Sequence, residues 1–145
     1  MPKQEAREIK TPSEVQGVIF LVYKDGKFLV EEVTRKDSGS YGHIRIPGGA
    51  IEKGETAEEA MKREAKEELG IDVKSYIFLD TFEDVTLGGD YYIFNAFLIL
   101  DYQGELRNQE PEKSNIYWLQ IQEAWATLKL SSSRYVLSLS EAAVT

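Results

Sequence analysis

Residues 49–71 read GAIEKGETAEEAMKREAKEELGI, and this stretch carries clear signals for where a helix begins and ends. The tetrad Thr56-Ala57-Glu58-Glu59 forms a capping box, which is typical of a helix start, and Gly70 is typical of the residue that ends a helix. The stretch therefore predicts a helix from about Ala57 to Leu69. Its apolar residues recur on one face, which we expect to pack against the rest of the protein. These residues are Ala57, Ala60, Met61, Ala65 and Leu69.

Three carboxylates project from one side of the predicted helix. Glu64, Glu67 and Glu68 stand at positions i, i+3 and i+4, so their side chains point the same way. Glu68 falls within the apolar face, where an uncompensated negative charge is costly. Carboxylates without histidine or cysteine are ligands for Mg²⁺ or Mn²⁺, and phosphate oxygens commonly complete such a site. The alternative interpretation is a solvated acidic face, which is common on glutamate-rich helices.

The chain before this segment has the pattern of a β-hairpin followed by a short strand. The apolar runs Val15–Tyr23 and Phe28–Val33 flank an Asp25-Gly26 dipeptide, which favours a tight hairpin turn. A further short strand is predicted near His43–Ile46. We expect Pro47-Gly48-Gly49 to interrupt the regular structure before the helix.

The chain after the helix predicts three more strands and a helical end. The strands are predicted at Val73–Phe82, Asp90–Tyr102 and Ile116–Leu119, and one or two helices over Gln122–Leu130 and Ser133–Ala143. The resulting order, β-β-β-α-β-β-β-α, predicts a mixed sheet with helices packed against it. The predicted fold class is therefore an α/β or α+β sandwich.

The composition is that of one globular domain. The chain has 145 residues, of which 42% are apolar, and this is enough to bury a core. We assign residues 1–13 to an N-terminal lead-in and residues 14–145 to a single domain. The absence of cysteine excludes a disulfide scaffold, a zinc–thiolate site and a cysteine nucleophile. It also fits a reducing compartment, and we expect a cytoplasmic protein.

The charge balance restricts the partners of the protein. The formal net charge of −8 argues against duplex nucleic acid as a partner, since an acidic surface repels a long polyphosphate chain. A small phosphate ligand is compatible with this charge when divalent cations bridge the ligand and the protein. No apolar run approaches the ~18 residues of a membrane span, so we expect no membrane association.

The fixed positions of the segment resemble the box of the MutT-like Nudix hydrolases. The pattern is Gly49, five residues, Glu55, seven residues, Arg63-Glu64, two residues, Glu67-Glu68, one residue, Gly70 and an apolar residue. The order of strands around the box is similar to that of a whole Nudix domain. The resemblance implies an α/β/α sandwich in which a mixed sheet lies between helices.

The resemblance also implies a metal site. Glu64 and Glu68 would be principal ligands of Mg²⁺, for which Mn²⁺ can substitute, with Glu67 as a further ligand. The carbonyl of Gly48 often completes such a site in the family. Arg63 would orient the glutamates through a salt bridge with Glu55 in the preceding loop.

The family reaction is the hydrolysis of a phosphoanhydride bond in a nucleoside diphosphate linked to another group. We expect a nucleoside triphosphate or a dinucleoside polyphosphate as substrate. In this family a carboxylate accepts the proton of the attacking water. For this chain the resemblance implies a box residue, Glu67 or Glu64, or an acid in the loop before the last strand. In that loop we favour Glu112 over Glu110.

Substrate contacts are expected outside the box. Phosphate-binding candidates are Arg45, Arg35, Lys36 and Lys53, and base-stacking candidates are Phe82, Tyr91, Tyr92 and Phe94. The alternative interpretation places these cations in solvent and the aromatic rings in the core of the sheet.

Two other functions stay open from the sequence. One is a nucleotide-binding sensor without turnover, although such relatives usually lack part of the glutamate set that is complete here. The other is a pyrophosphohydrolase acting on RNA 5′ ends, although the charge of −8 disfavours extended RNA contacts. We expect a monomer or a homodimer.

Overall fold

The computed structural model describes residues 15–87 and 89–145. The predicted lead-in, residues 1–13, lies outside the described residues. Within the described ranges the chain forms seven strands and three helices. The strands are β1 (Val15–Lys24), β2 (Lys27–Val33), β3 (Ile44–Arg45), β4 (Gly48–Ala50), β5 (Asp72–Val85), β6 (Tyr91–Gln103) and β7 (Ser114–Leu119). The helices are α1 (Ala57–Leu69), α2 (Ile121–Thr127) and α3 (Ser131–Val144).

Local sequence signals define α1. Thr56 accepts a hydrogen bond from the backbone N–H of Glu59, and the Glu59 side chain accepts one in return from the Thr56 backbone. Gly70 ends the helix in the left-handed conformation with a φ of 73°, which glycine adopts without a Cβ penalty. The helix has the predicted bounds. No helix in the described part of the chain is long and apolar enough to cross a membrane.

The predicted hairpin is present. Asp25 has a φ of 54° and Gly26 a φ of 79°, and two successive positive φ values give a turn whose twist matches the flanking strands. The strands pair next to the turn and then diverge, so that each joins different neighbours. β2 pairs with β3 and β7, whereas β1 pairs with β4 and β6.

The sheet is mixed, as predicted. Its main order is β3-β2-β1-β6-β5, with β4 paired to β1 and β7 paired to β2. The pairing of β1 with β6 is parallel, with Val15 beside Tyr92 and Val22 beside Ile99. The other strand pairs are antiparallel.

The expected interruption at Pro47-Gly48-Gly49 is present only in part. Ile46 and Pro47 separate β3 from β4, but Gly48 and Gly49 belong to β4, which pairs antiparallel with β1. The absence of a side chain at Gly48 explains this pairing. A Cβ on Gly48 would collide with the backbone carbonyl of Val18, so glycine permits a close strand approach that a larger residue would prevent.

Side chains alternate between two cores on opposite faces of the sheet. In β1, Val18, Phe20 and Val22 are buried on the face covered by α1. Ile19 and Leu21 are buried on the opposite face, against residues of α2 and α3. This alternation makes β1 the common wall of both cores. The arrangement confirms the predicted sandwich with a sheet between helices.

Candidate active site

Arg63 connects α1 to the loop that precedes the helix. Its Nε donates a hydrogen bond to Oε2 of Glu55 at 2.6 Å, and its Nη2 donates to Oε1 of Glu55 at 3.0 Å. Nη2 also donates to the carbonyl of Ala50 at 3.0 Å. A two-pronged contact of this kind fixes both partners in orientation as well as distance. The ion pair expected between Arg63 and Glu55 is therefore present.

The same guanidinium holds two glutamates of the helix. Nη1 of Arg63 donates to Oε2 of Glu64 at 3.2 Å and to Oε1 of Glu67 at 3.3 Å. The Glu64 side chain is 15% exposed and that of Glu67 is 54% exposed. One residue thus sets the positions of a partly buried and a solvent-facing carboxylate.

The hydrogen bond from Arg63 lowers the pKa of Glu55 from 4.5 to about 2, and the backbone N–H of Glu52 lowers it further. A carboxyl group with a depressed folded-state pKa stabilises the fold above its unfolded pKa, and that contribution is lost as pH falls towards the folded pKa. The stability that Glu55 contributes is therefore present at neutral pH and disappears between about pH 4.5 and pH 2.

We expect Glu55→Gln to be less stable than the wild type at pH 7, and this difference to shrink as pH falls from 4.5 to 2. The amide keeps the size of the side chain but loses the charge that pairs with Arg63. Urea unfolding of both proteins across this pH range measures the effect. Glu83→Gln, at an exposed position of β5, is the matched control. A difference that stays constant with pH would contradict the assignment.

Glu68 lies near the end of α1 and faces other acids. Burial raises the pKa of Glu68 far above its ordinary range, and a hydrogen bond shared with Glu64 raises it further. The negative charges of Glu31, Glu64 and Glu110 act in the same direction. These carboxylates therefore repel one another when all are ionised. A cation among them would relieve that repulsion.

These acids line a cleft of about 460 Å³, which we call the acidic cleft. Its lining includes Glu31, Arg45, Gly48, Glu64, Glu67, Glu68 and Glu110. Within residues 15–87 and 89–145, no three acidic or histidine side chains form a ready-made metal site. The hydrogen bonds of Arg63 direct oxygens of Glu64 and Glu67 towards the guanidinium. The donor set, hard carboxylate oxygens without nitrogen or sulfur, fits Mg²⁺ or Mn²⁺.

Sequence reasoning missed Glu31. This residue is 8% exposed, and its Oε2 accepts a hydrogen bond from Nε of Arg45 at 2.9 Å. The position of Glu31 in the sequence could have indicated the face on which it lies. Glu31 follows Leu29 by two residues in β2, and Leu29 is buried in the core beneath α1. Alternation along a strand places Glu31 on that same face.

The structure places the two acids of the loop before β7 differently. Glu110 lines the acidic cleft, whereas Glu112 is exposed and outside it. Asn108 shapes this loop, since its Oδ1 accepts a hydrogen bond from the backbone N–H of Glu110 and its Nδ2 donates to the carbonyl of Ser114. Lys113 pairs with Glu110 at 3.3 Å. The preference for Glu112 over Glu110 therefore receives no support from the geometry.

A second cleft, of about 440 Å³, adjoins the acidic cleft. The rings of Tyr92 and Phe94 line it and are nearly parallel, with centroids 5.5 Å apart. We call it the aromatic cleft. Arg45 and Gly48 line both clefts, so the two spaces meet at these residues. A ligand with an aromatic end and an anionic end can therefore occupy both.

The expected phosphate-binding cations have different positions. Arg45 lies where the clefts meet. Arg35 lines the acidic cleft, but its Nε contacts Oδ1 of Asp37 at 2.6 Å. Lys53 is exposed in the loop before α1 and is not among the residues lining either cleft in the described part of the chain. The structure thus brings Arg45 to the site and leaves Lys53 away from it.

The expected stacking residues also differ. Tyr92 lines the aromatic cleft. Phe82 packs instead between Phe94, at a centroid distance of 5.4 Å, and Tyr135, at 4.9 Å. It therefore supports the wall behind Phe94 and is not part of the described lining. Phe94, also among the expected stacking residues, lies next to Tyr92 in the lining.

The family model described as NUDIX domain matches residues 14–139 of this chain. The chain belongs to the Nudix family. This confirms the resemblance that the box at residues 49–71 suggested. The Nudix match extends well beyond the box and includes the strands that build both clefts.

Two curated relatives match different shares of this chain. The nucleoside triphosphatase NudI of Enterobacter sp. (strain 638) is 32% identical over 78% of this chain and 86% of its own length. The ADP-ribose pyrophosphatase of Methanocaldococcus jannaschii is 34% identical over 64% of this chain and 54% of its own length. This chain thus spans only about half of the archaeal protein.

A solved structure confirms the Nudix fold. The MutT NUDIX hydrolase from Burkholderia pseudomallei aligns with a TM-score of 0.75 and covers 87% of this chain and 97% of that chain. The two are 24% identical. At this level the similarity establishes the sandwich architecture and carries no information about substrate.

Proposed function

We propose that this Nudix protein is a Mg²⁺-dependent pyrophosphohydrolase that cleaves a phosphoanhydride bond in a nucleoside triphosphate or a dinucleoside polyphosphate. The observation that carries the proposal is the junction of the two clefts at Arg45 and Gly48. An aromatic cleft suits a nucleobase, and an adjoining acidic cleft suits a polyphosphate with its cations. The names of the relatives, a triphosphatase and a pyrophosphatase, support the reaction class.

The proposed metal ligands are the carboxylates of Glu64, Glu68 and Glu67 and the carbonyl of Gly48. The repulsion around Glu68 supports this assignment, because the cleft combines several acids with few cations. When bound, Mg²⁺ would neutralise charge on the phosphates and acidify the attacking water. Mn²⁺, which also prefers oxygen ligands, is the expected substitute.

Other side chains are assigned to ligand positioning, proton transfer and phosphate binding. Arg63 positions Glu64 and Glu67 through one nitrogen and is itself fixed by Glu55. Glu67 is the proposed proton acceptor, since its carboxylate is the solvent-facing member of the set and can reach water. Glu110, which lines the cleft from the loop before β7, is the alternative acceptor. Arg45 is placed to contact the phosphates where the clefts meet.

We further propose that the protein acts in the cytoplasm as a monomer or homodimer on small nucleotides. The absence of cysteine supports the compartment, and the charge of −8 supports a small nucleotide over a duplex. The volumes of the two clefts are in the range of small-molecule sites.

A panel of nucleoside triphosphates, dinucleoside polyphosphates, ADP-ribose and 5′-triphosphorylated RNA tests the proposal. We expect Mg²⁺-dependent release of a nucleoside monophosphate from the mononucleotide or dinucleotide substrates, and no release after chelation with EDTA. Chromatographic separation of the products identifies the cleaved bond. Turnover that survives EDTA would contradict the metal role. Tight binding of one nucleotide without turnover of any would favour the sensor.

A further inference from the structure

Asp84 provides a fixed carboxylate in the aromatic cleft. It lies near the end of β5, opposite Tyr92 in the pairing with β6, and both residues line the cleft. Its Oδ1 accepts a hydrogen bond from the backbone N–H of Val85 at 2.8 Å. Its Oδ2 accepts one from Oγ of Ser131 at 2.6 Å. Because both oxygens are held, the side chain is oriented before any ligand arrives.

The described lining of this cleft contains no other carboxylate. Its remaining charged residues are Arg45, which is paired with Glu31, and Lys129. Lys129 is exposed just before the start of α3 and forms no ion pair with the described residues. The cleft thus offers an acceptor pair at Asp84 and a free donor at Lys129, beside the aromatic rings.

The common nucleobases differ in how well they match this arrangement. A carboxylate accepts two hydrogen bonds side by side, and guanine presents two adjacent donors, N1–H and the exocyclic amine, next to the O6 acceptor. Adenine and cytosine each present one donor beside an acceptor. Uracil and thymine present one donor between two acceptors. Only guanine therefore fills both oxygens of a carboxylate and still offers an acceptor to an ammonium group.

We propose that Asp84 makes the aromatic cleft selective for guanine nucleotides, with the base stacked against Tyr92 and Phe94 and its Watson–Crick edge on the carboxylate. The inference rests on the proposed function, because it assigns this cleft to the base of the substrate. The stacked rings contribute affinity for any base. The carboxylate supplies the preference.

Binding of GMP, IMP and AMP in the absence of metal tests the proposal, with dissociation constants from isothermal titration calorimetry. IMP lacks only the exocyclic amine of GMP, so their ratio isolates one of the two hydrogen bonds. We expect GMP to bind roughly 10-fold more tightly than IMP, and AMP to bind at least as weakly as IMP. In Asp84→Asn the amide has a single acceptor oxygen, and the GMP to IMP ratio is expected to fall to about 1.

Glu83→Gln is the matched control. It makes the same acid-to-amide change at the neighbouring residue of β5, which is exposed and outside both clefts in the described part of the chain, so the GMP to IMP ratio should stay close to that of the wild type. Should Asp84→Asn fail to fold, the wild-type affinities for GMP, IMP and AMP decide the question. Equal affinities of the wild type for the three nucleotides, no measurable binding, or an unchanged ratio in Asp84→Asn would overturn the inference.

The design separates this inference from the proposed hydrolysis. Binding of the monophosphates needs neither Mg²⁺ nor turnover. Base-independent hydrolysis of triphosphates, together with equal monophosphate affinities, would overturn the guanine assignment and leave the pyrophosphohydrolase intact. Selective GMP binding without hydrolysis of any substrate would support the guanine assignment and overturn the pyrophosphohydrolase.

Discussion

Glu68→Gln is expected to lower kcat about a thousandfold at saturating substrate and Mg²⁺. The amide keeps the shape of the side chain but removes a charge that, in the proposed site, holds the cation. Loss of roughly 4 kcal/mol of transition-state stabilisation corresponds to three powers of ten in rate. Steady-state product release measures the change. Glu83→Gln, an exposed glutamate outside both clefts, serves as the matched control and should keep wild-type activity.

The same variant has an opposite expected effect on stability. Without metal, Glu68→Gln should unfold at the same or a higher temperature than the wild type, because a neutral amide avoids the cost of placing an acid, ionised or protonated, beside Glu31, Glu64 and Glu110. Added Mg²⁺ should raise the Tm of the wild type and raise that of the variant less, since a ligand that binds only the folded state stabilises it. Full activity of the variant, or an equal Mg²⁺ effect on both proteins, would contradict the metal assignment.

Arg63→Lys is expected to raise the Mg²⁺ concentration for half-maximal activity by 10- to 100-fold, the range typical of changes to groups that orient metal ligands. A lysine has one ammonium group, so it cannot grip both oxygens of Glu55 and also hold Glu64 and Glu67. Titration of activity with Mg²⁺ at fixed substrate measures the shift.

Lys66→Arg is the control for that substitution. It makes a conservative change of basic residue on the same helix, at an exposed side chain whose partner is Asp72. Its Mg²⁺ titration should overlay that of the wild type. A titration of Arg63→Lys that also overlays the wild type would show that Arg63 does not position the metal ligands.

The parts of the fold that the sequence predicted are those with local signals. The capping box at Thr56 and the glycine at position 70 specify α1 without reference to any other element. The pairing of Gly48–Ala50 with β1 could not be predicted in this way, because a strand of three residues has no pattern of its own and depends on a distant partner.

The residues of the site also differ in whether local sequence patterns predict them. Spacing along one helix brings Glu64, Glu67 and Glu68 to one cleft, and sequence alone predicts this. Alternation along β2 predicts the face on which Glu31 lies, but its position in that cleft also depends on the register between strands, which no local pattern specifies. Glu110 reaches the cleft because Asn108 shapes the loop, and hydrogen bonds of this kind are not visible in composition or spacing.

The parallel pairing of β1 with β6 has a consequence for how the chain reaches its native state. Every element from β2 to β5 lies between these two strands in the sequence, so their ladder closes a long loop and forms late. Topologies rich in such distant contacts fold in milliseconds to seconds. Until β6 arrives, the apolar run Val18–Val22 has an open edge, and such a run is prone to intermolecular association. Recovery of native protein after refolding should therefore fall as protein concentration rises.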